Sequence, residues 1–192
     1  MNVAVRKRMT MAEFLDWEER QALRYEFNGE RPVAMTGGTQ SHADVQANLI
    51  TALRNRLRGS RCKAFGSELK IVVDGSIRYP DAFITCTPGE RSATVAADPV
   101  IVFEIVSPSS GSMDRIIKNL EYRNTSSIQR YVILEQTAVG AEVFTRAGDD
   151  WAGRVQGAGS VLHLPEAGIE VPLDELYQDV DLPLQPDDAT AA

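Results

Sequence analysis

Apolar positions along the chain divide it into short strands and three helices. Thr10-Met11-Ala12-Glu13 has the Thr-x-x-Glu form of a capping box and predicts a helix over residues 11–23, with Phe14, Leu15 and Trp17 on its apolar side. Residues 25–35 read as a hairpin, turned at Asn28-Gly29. Thr36-Gly37-Gly38-Thr39 breaks the pattern, and Ser41 is placed to cap a second helix over 42–58. In that helix Val45, Leu49, Ala52, Leu53 and Leu57 recur at helical spacing, and Gly59 stops it.

Between Cys62 and Cys86 the period shortens to that of strands. Leu69, Ile71 and Val73 alternate, Asp74-Gly75 occupies a two-residue turn, and the return strand is expected to run from Ser76 through Asp81. Pro80 removes one ladder donor, which places that end at an edge or a bulge. A polar connection over 87–99 leads to the most apolar strand, 100–106, and residues 107–112 form a tight loop. A helix over 113–123 is expected to turn Ile116, Ile117 and Leu120 to the core. Another buried strand follows at 130–135. This strand–helix–strand order predicts a right-handed crossover between parallel strands. Residues 142–146 and 151–155 form a closing hairpin, followed by short strands and one helical turn ending at Tyr177.

The 192 residues suit one domain, with its core over about 10–160 and an acidic tail over 183–192. No apolar run approaches the ~20 residues a membrane span needs, and the basic start has no apolar stretch after it. Cys62 and Cys86 show no disulfide framework or metal-ligand spacing, so they read as core thiols in a reducing cytoplasm. The net charge of −7 argues against a broad electrostatic grip on nucleic acid, though not against a local basic groove. Arg54, Arg56, Arg58 and Arg61 read as a solvated helix end matched to the macrodipole, with a phosphate-contacting patch as the alternative.

Two acids stand where acids are expensive. Asp81 and Glu104 each lie in an otherwise apolar strand, and a buried unpaired carboxylate must find a cation or a proton. If the strands are neighbours, the two carboxylates meet on one side of the sheet and repel each other. A shared divalent ion would relieve both costs. Hard oxygen ligands favour Mg²⁺, with Mn²⁺ as its substitute. Asp114, Lys118 and Tyr122 follow at four-residue spacing on one helix face, which brings Lys118 within reach of the carboxylates. A metal that activates water, beside an ammonium that steadies phosphate charge, suits phosphodiester hydrolysis.

Pro80-Asp81 followed by Glu104-Ile105-Val106 resembles the PD-(D/E)XK nuclease signature. The ordered set of Glu104 to Ser110, Asp114, Lys118 and Tyr122 resembles the Uma-type family of restriction-endonuclease-like proteins. Tyr25-Glu26, Gly29-Glu30 and the helix opening at His42 are similar to that family's N-terminal region. The resemblance implies an α/β (α+β) fold: a restriction-endonuclease-like central mixed β-sheet flanked by helices, with additional C-terminal hairpin strands. It also implies metal bound by Asp81 and Glu104, catalysis by these two with Lys118, and support from Glu26, His42 and Tyr122. The signature lysine would stand two residues after Glu104, where this chain has Val106; the Uma-type pattern moves it to Lys118.

The expected function is a Mg²⁺-dependent endonuclease acting on DNA, working as a homodimer away from membranes. The alternative is a catalytically silent nuclease fold that binds nucleic acid or self-associates. His163, in a Val-Leu-His-Leu strand, reads as packing, and Asp149 and Asp150 as loop acids.

Overall fold

The capping box forms as the sequence predicts. Thr10 Oγ1 accepts from the Glu13 N–H at 3.2 Å, and the Glu13 carboxylate accepts from the Thr10 N–H at 2.8 Å. This opens α1 (Met11–Glu18), whose Phe14 stacks on Phe27 at 5.1 Å. The helix stops five residues short of the predicted Leu23. Glu18 turns inward to Lys70 Nζ at 2.5 Å and the Tyr79 hydroxyl at 2.7 Å, and the Gln21 amide caps the Trp17 carbonyl.

The computed structural model describes residues 8–35, 37–106 and 112–183, with the backbone alone for 112–114. Residues 107–111 of the predicted loop, the Asp114 side chain and the tail from 184 lie outside the described residues, and Ser112, predicted as the last loop residue, is the first of the third helix. After α1 come β1 (Tyr25–Phe27), β2 (Pro32–Ala34), α2 (Gln40–Arg56), β3 (Lys63–Gly66), β4 (Lys70–Val73), β5 (Ser76–Arg78), β6 (Ala82–Thr85), β7 (Val95–Ala96) and β8 (Pro99–Val106). Then follow α3 (Ser112–Asn124), β9 (Arg130–Glu135), β10 (Gly140–Ala147), β11 (Asp150–Gly157), β12 (Val161–Leu164), β13 (Ile169–Pro172) and a 3₁₀ turn, Leu173–Tyr177.

A six-stranded sheet in the order β11-β10-β9-β8-β6-β3 forms the centre. The β8–α3–β9 unit pairs its strands in parallel, as the crossover argument predicts; the other neighbours are antiparallel. One face packs against α2, β12, β13 and the 3₁₀ turn through residues such as Leu49, Leu53, Ile84, Ile101, Leu162 and Leu176. The other face packs on α3 and a second sheet, β2-β1-β5-β4-β7, through Phe83, Val102, Tyr122, Tyr131 and Ile71. Among the described residues no helix is long and apolar enough to cross a membrane.

Several expectations are corrected. The cap of α2 is Thr39, whose hydroxyl accepts from the His42 N–H at 3.2 Å, so the helix starts before Ser41. The connection over 87–99 contributes β7, which pairs in parallel with β4. The return strand does not continue to Asp81: β5 and β6 belong to different sheets, and Tyr79-Pro80-Asp81 is the switch between them. His163 is exposed and bonds Glu170 at 2.9 Å instead of packing.

The largest reversal concerns α3. Ile116, Ile117 and Leu120 are 54%, 41% and 54% exposed, while Lys118, Glu121 and Tyr122 turn inward. The polar side faces the protein because it meets acids and an arginine there, and those bonds outweigh burial of three aliphatic side chains.

Cys62 and Cys86 are not free thiols. Lys63 pairs opposite Thr85, so the antiparallel register sets the two cysteines opposite each other, and they form a disulfide with Cα atoms 3.9 Å apart. The compartment therefore no longer follows from the cysteines. With the two cysteines 24 positions apart in sequence, reduction is expected to cost about 2–4 kcal/mol of stability. Guanidinium midpoints with and without reductant measure it; equal midpoints would show that the crosslink does not constrain the unfolded chain.

Candidate active site

Pairing of β6 with β8 sets Ala82 opposite Phe103, so the residues just beyond, Asp81 and Glu104, are neighbours across the end of the ladder. The sheet switch at Tyr79-Pro80 places Asp81 there. Its Oδ2 accepts from the Ile105 N–H at 2.7 Å, and its Oδ1 lies 2.9 Å from His42 Nε2. Gln46, one turn after His42 on α2, donates to the Asp81 carbonyl at 2.9 Å and to Oδ1 at 3.5 Å. The hydrogen bond to Asp81 raises the His42 pKa against the opposing effect of burial, which favours an imidazolium beside the carboxylate.

Glu104 stands on β8, buried at seven of its eight residues. Its Oε1 accepts from the Tyr122 hydroxyl at 2.5 Å and lies 3.4 Å from Lys118 Nζ. Lys118 also reaches Glu26 Oε1 at 3.3 Å. Lys118 and Tyr122 are four residues apart, so one face of α3 delivers both. The Glu104 carboxyl is raised to about 7, chiefly by burial and then by Asp81 and Glu26, against the pull of Lys118 and the Tyr122 hydrogen bond. Burial and Glu104 together raise the Tyr122 phenol well above its usual range.

Glu26 is fixed from behind. Arg78 Nη1 donates to its Oε2 at 3.0 Å, and the Tyr79 N–H to its Oε1 at 3.3 Å. Arg78 also donates to Glu121 from Nε and Nη2, both at 2.7 Å, and Ser76 Oγ adds a bond to Glu121 at 2.8 Å. Burial works against the Arg78 charge, but Glu121 and Glu26 outweigh it and hold its pKa above the usual value.

Glu26, His42, Asp81, Glu104 and Lys118 line one pocket of ≈ 310 Å³, walled by Val33, Met35, Tyr79, Val106, Tyr131 and Arg115. The structure thus brings Asp81, Glu104, Lys118, Glu26 and His42 together; Tyr122 lies behind them, reaching only Glu104's oxygen. The sequence reading missed Gln46, Ser76, Arg78 and Glu121. An arginine in the apolar run Ser76-Ile77-Arg78-Tyr79 is the same signal that identified Asp81 and Glu104, a charge in a buried strand. Gln46 was legible as the residue four after His42.

The donor set consists of hard carboxylate oxygens. Asp81 and Glu104, set side by side at the end of the β6–β8 ladder, fit a divalent cation held between them. Among the described residues no group of three or more His, Cys, Asp or Glu side chains forms a ready metal cage. Two carboxylates are the usual protein share for Mg²⁺, which keeps most of its waters.

Similar proteins were found at the level of sequence and of fold. A 175-residue match at 31% identity, covering 89% of this chain and 92% of the relative, is to the uncharacterized protein slr1290 of Synechocystis. A second Synechocystis protein, the uncharacterized sll1609, is 25% identical over 154 residues, covering 78% and 87%. The fold resembles the crystal structure of a protein from Anabaena variabilis described as "a putative nuclease belonging to DUF820". The TM-score is 0.71 at 16% identity, covering 88% of this chain and 98% of that one. This likeness shows that the two chains share an α+β fold. Residues 11–174 match the family described as "Uma2: Putative restriction endonuclease". The chain belongs to that family of nuclease-like proteins.

Proposed function

We propose that this protein is a metal-dependent endonuclease hydrolysing phosphodiester bonds in DNA, with Asp81 and Glu104 holding Mg²⁺ and Lys118 completing the site. The observation that carries the reading is the convergence, in one pocket, of the end of one strand, the middle of another and the face of a helix: Asp81, Glu104 and Lys118. When bound, the ion supplies Lewis acidity, acidifying water and offsetting charge on phosphate.

The chain's own residues do the rest. His42, Gln46 and the Ile105 N–H fix Asp81 in one orientation. Tyr122 spends its proton on Glu104 Oε1 and fixes that carboxylate. Lys118, held between Glu26 and Glu104, presents an ammonium to the pocket, where it orients the attacking water or steadies the phosphate. Val106 lines the pocket where the signature lysine would stand, and an aliphatic side chain does neither job.

Val106 also favours the second reading, a nuclease fold retained for binding alone. Calorimetric titration of Mg²⁺ into the wild type and Asp81→Ala, followed by plasmid nicking, separates the two. Binding lost in Asp81→Ala, together with Mg²⁺-dependent nicking by the wild type, supports the enzyme. No heat of binding in the wild type ends the metal assignment; binding without nicking leaves the silent version.

The titration has a predicted pH dependence. Glu104 is raised to about 7, so in the metal-free protein its proton is retained from the unfolded range near 4.5 up to neutrality. Its contribution to stability is therefore present below about 4.5 and lost as pH rises through about 7. A cation competes with that proton, so Mg²⁺ affinity should rise roughly tenfold between pH 6 and pH 8 and then level off. Affinity independent of pH across that range would mean Glu104 is not a ligand.

A further inference from the structure

The central sheet has one edge unlike the others. Its far edge, β3, has four residues, and the second sheet ends on β2, three residues beginning with Pro32, and β7, two residues. Short edges and a leading proline discourage pairing with another chain. The edge strand β11 has eight residues, and its residues 152–155 are all exposed, with Val155 at 84%.

The hairpin register fixes which backbone groups are free. Ala147 pairs with Asp150 across a two-residue turn, and Thr145 with Ala152. In such a ladder the even residues of β11 bond β10, and Trp151, Gly153 and Val155 direct their N–H and C=O groups outward. The side chains alternate as well. Asp150, Ala152 and Arg154 share the face toward β12, and Trp151, Gly153 and Val155 the face toward α3. Among the described residues neither Asp150 nor Arg154 has an ion-pair partner.

The segment Asp150-Trp151-Ala152-Gly153-Arg154 is complementary to itself when run antiparallel. With Ala152 opposite its own copy, Asp150 faces Arg154 of the second chain, and Arg154 faces Asp150, in positions where cross-strand side chains approach most closely. The same register sets Trp151 opposite Gly153 of the copy, a residue with no side chain that Phe144 of its own chain also covers. It also makes Trp151–Gly153 the hydrogen-bonded pair, using the outward backbone groups. A one-residue slip would lose all three features. Charges on an edge strand ordinarily repel a neighbour; these two repel other strands and attract their own copy.

We propose that β11 is a homodimer seam, in which two copies join edge to edge about a two-fold axis at Ala152 and extend the six strands into one sheet of twelve. The exposed side of α3 lies on the same face of the sheet. Arg115 reaches Glu142 at 3.2 Å, and the Arg123 guanidinium stacks on Trp151 at 5.8 Å, so Ile116 and Leu120, next on the helix surface, flank the seam.

A charge-swap experiment tests the seam independently of nuclease activity. By sedimentation velocity at micromolar concentrations the wild type should be dimeric. Arg154→Asp, which sets acid against acid twice, should raise the dimer dissociation constant at least tenfold, and Asp150→Arg/Arg154→Asp should restore the dimer. A wild type that is monomeric at 100 µM overturns the proposal, as does a dimer indifferent to Arg154→Asp. Failure of the double swap to recover association would overturn the register with Ala152 at the axis.

Discussion

Replacing Lys118 with methionine is expected to lower plasmid cleavage by at least about 10²-fold, the usual cost of removing one preorganised charge from a transition state. Mg²⁺ binding should survive. Lys118 Nζ stands 3.3 Å from Glu26 and 3.4 Å from Glu104, so it neutralises the acids that would otherwise attract the ion. Without it, the Glu104 carboxyl holds its proton to higher pH, because the cation that now pulls its pKa down is gone. At a pH high enough to remove that proton, metal binding should be as tight as in the wild type or tighter. A purely structural lysine behaves differently: the variant would lose stability and retain its turnover per folded molecule. Unchanged cleavage at saturating Mg²⁺ would remove Lys118 from the reaction. Lys118→Arg is a sharper control. A planar guanidinium is larger than the ammonium now held between two carboxylates, so keeping the charge should not restore the rate.

The site was legible in the sequence where it depended on cost. Asp81 and Glu104 stood out because a carboxylate in an apolar strand demands a partner, and the four-residue spacing of Lys118 and Tyr122 supplied one. The fold was legible where local chemistry decides it: the Thr10 capping box, the Asp74-Gly75 turn with φ of 43° and 81°, and the parallel β8–β9 crossover. The failures have a common cause. A sequence shows which face of a helix is apolar, but not which face the rest of the protein needs. For α3 the pattern pointed Ile116 and Leu120 inward, and a buried arginine together with two acids, Glu26 and Glu104, reversed it. The sheet switch at Tyr79-Pro80 was hidden for a similar reason: an apolar run continues across it, and only pairing shows that its halves join different sheets. The disulfide required the β3–β6 register, which spacing alone does not give.

Arg78→Met should destabilise the protein by about 3–5 kcal/mol, the largest effect on stability expected from a single exchange of a charged residue here. The Arg78 side chain is only 3% exposed and is bound to two carboxylates, Glu26 and Glu121, each about 10% exposed. Methionine replaces much of the volume but leaves both acids buried without their cation, and that penalty exceeds the attraction the three groups had gained. In a chain of this size the loss corresponds to a fall in Tm of roughly 6–20 °C. Arg56 and Glu175 form a still shorter pair at 2.5 Å, yet they are 28% and 32% exposed, and Arg56→Met should cost no more than about 1 kcal/mol. The contrast separates burial from geometry. Glu121→Gln in the Arg78→Met background provides the decisive measurement, since it removes one of the stranded acids. The double variant should be more stable than Arg78→Met alone, a non-additivity that loss of ordinary packing does not produce. If the two losses instead add, Arg78 stabilises the fold by filling space, and Glu26 keeps its place beside Lys118 without help from its charge.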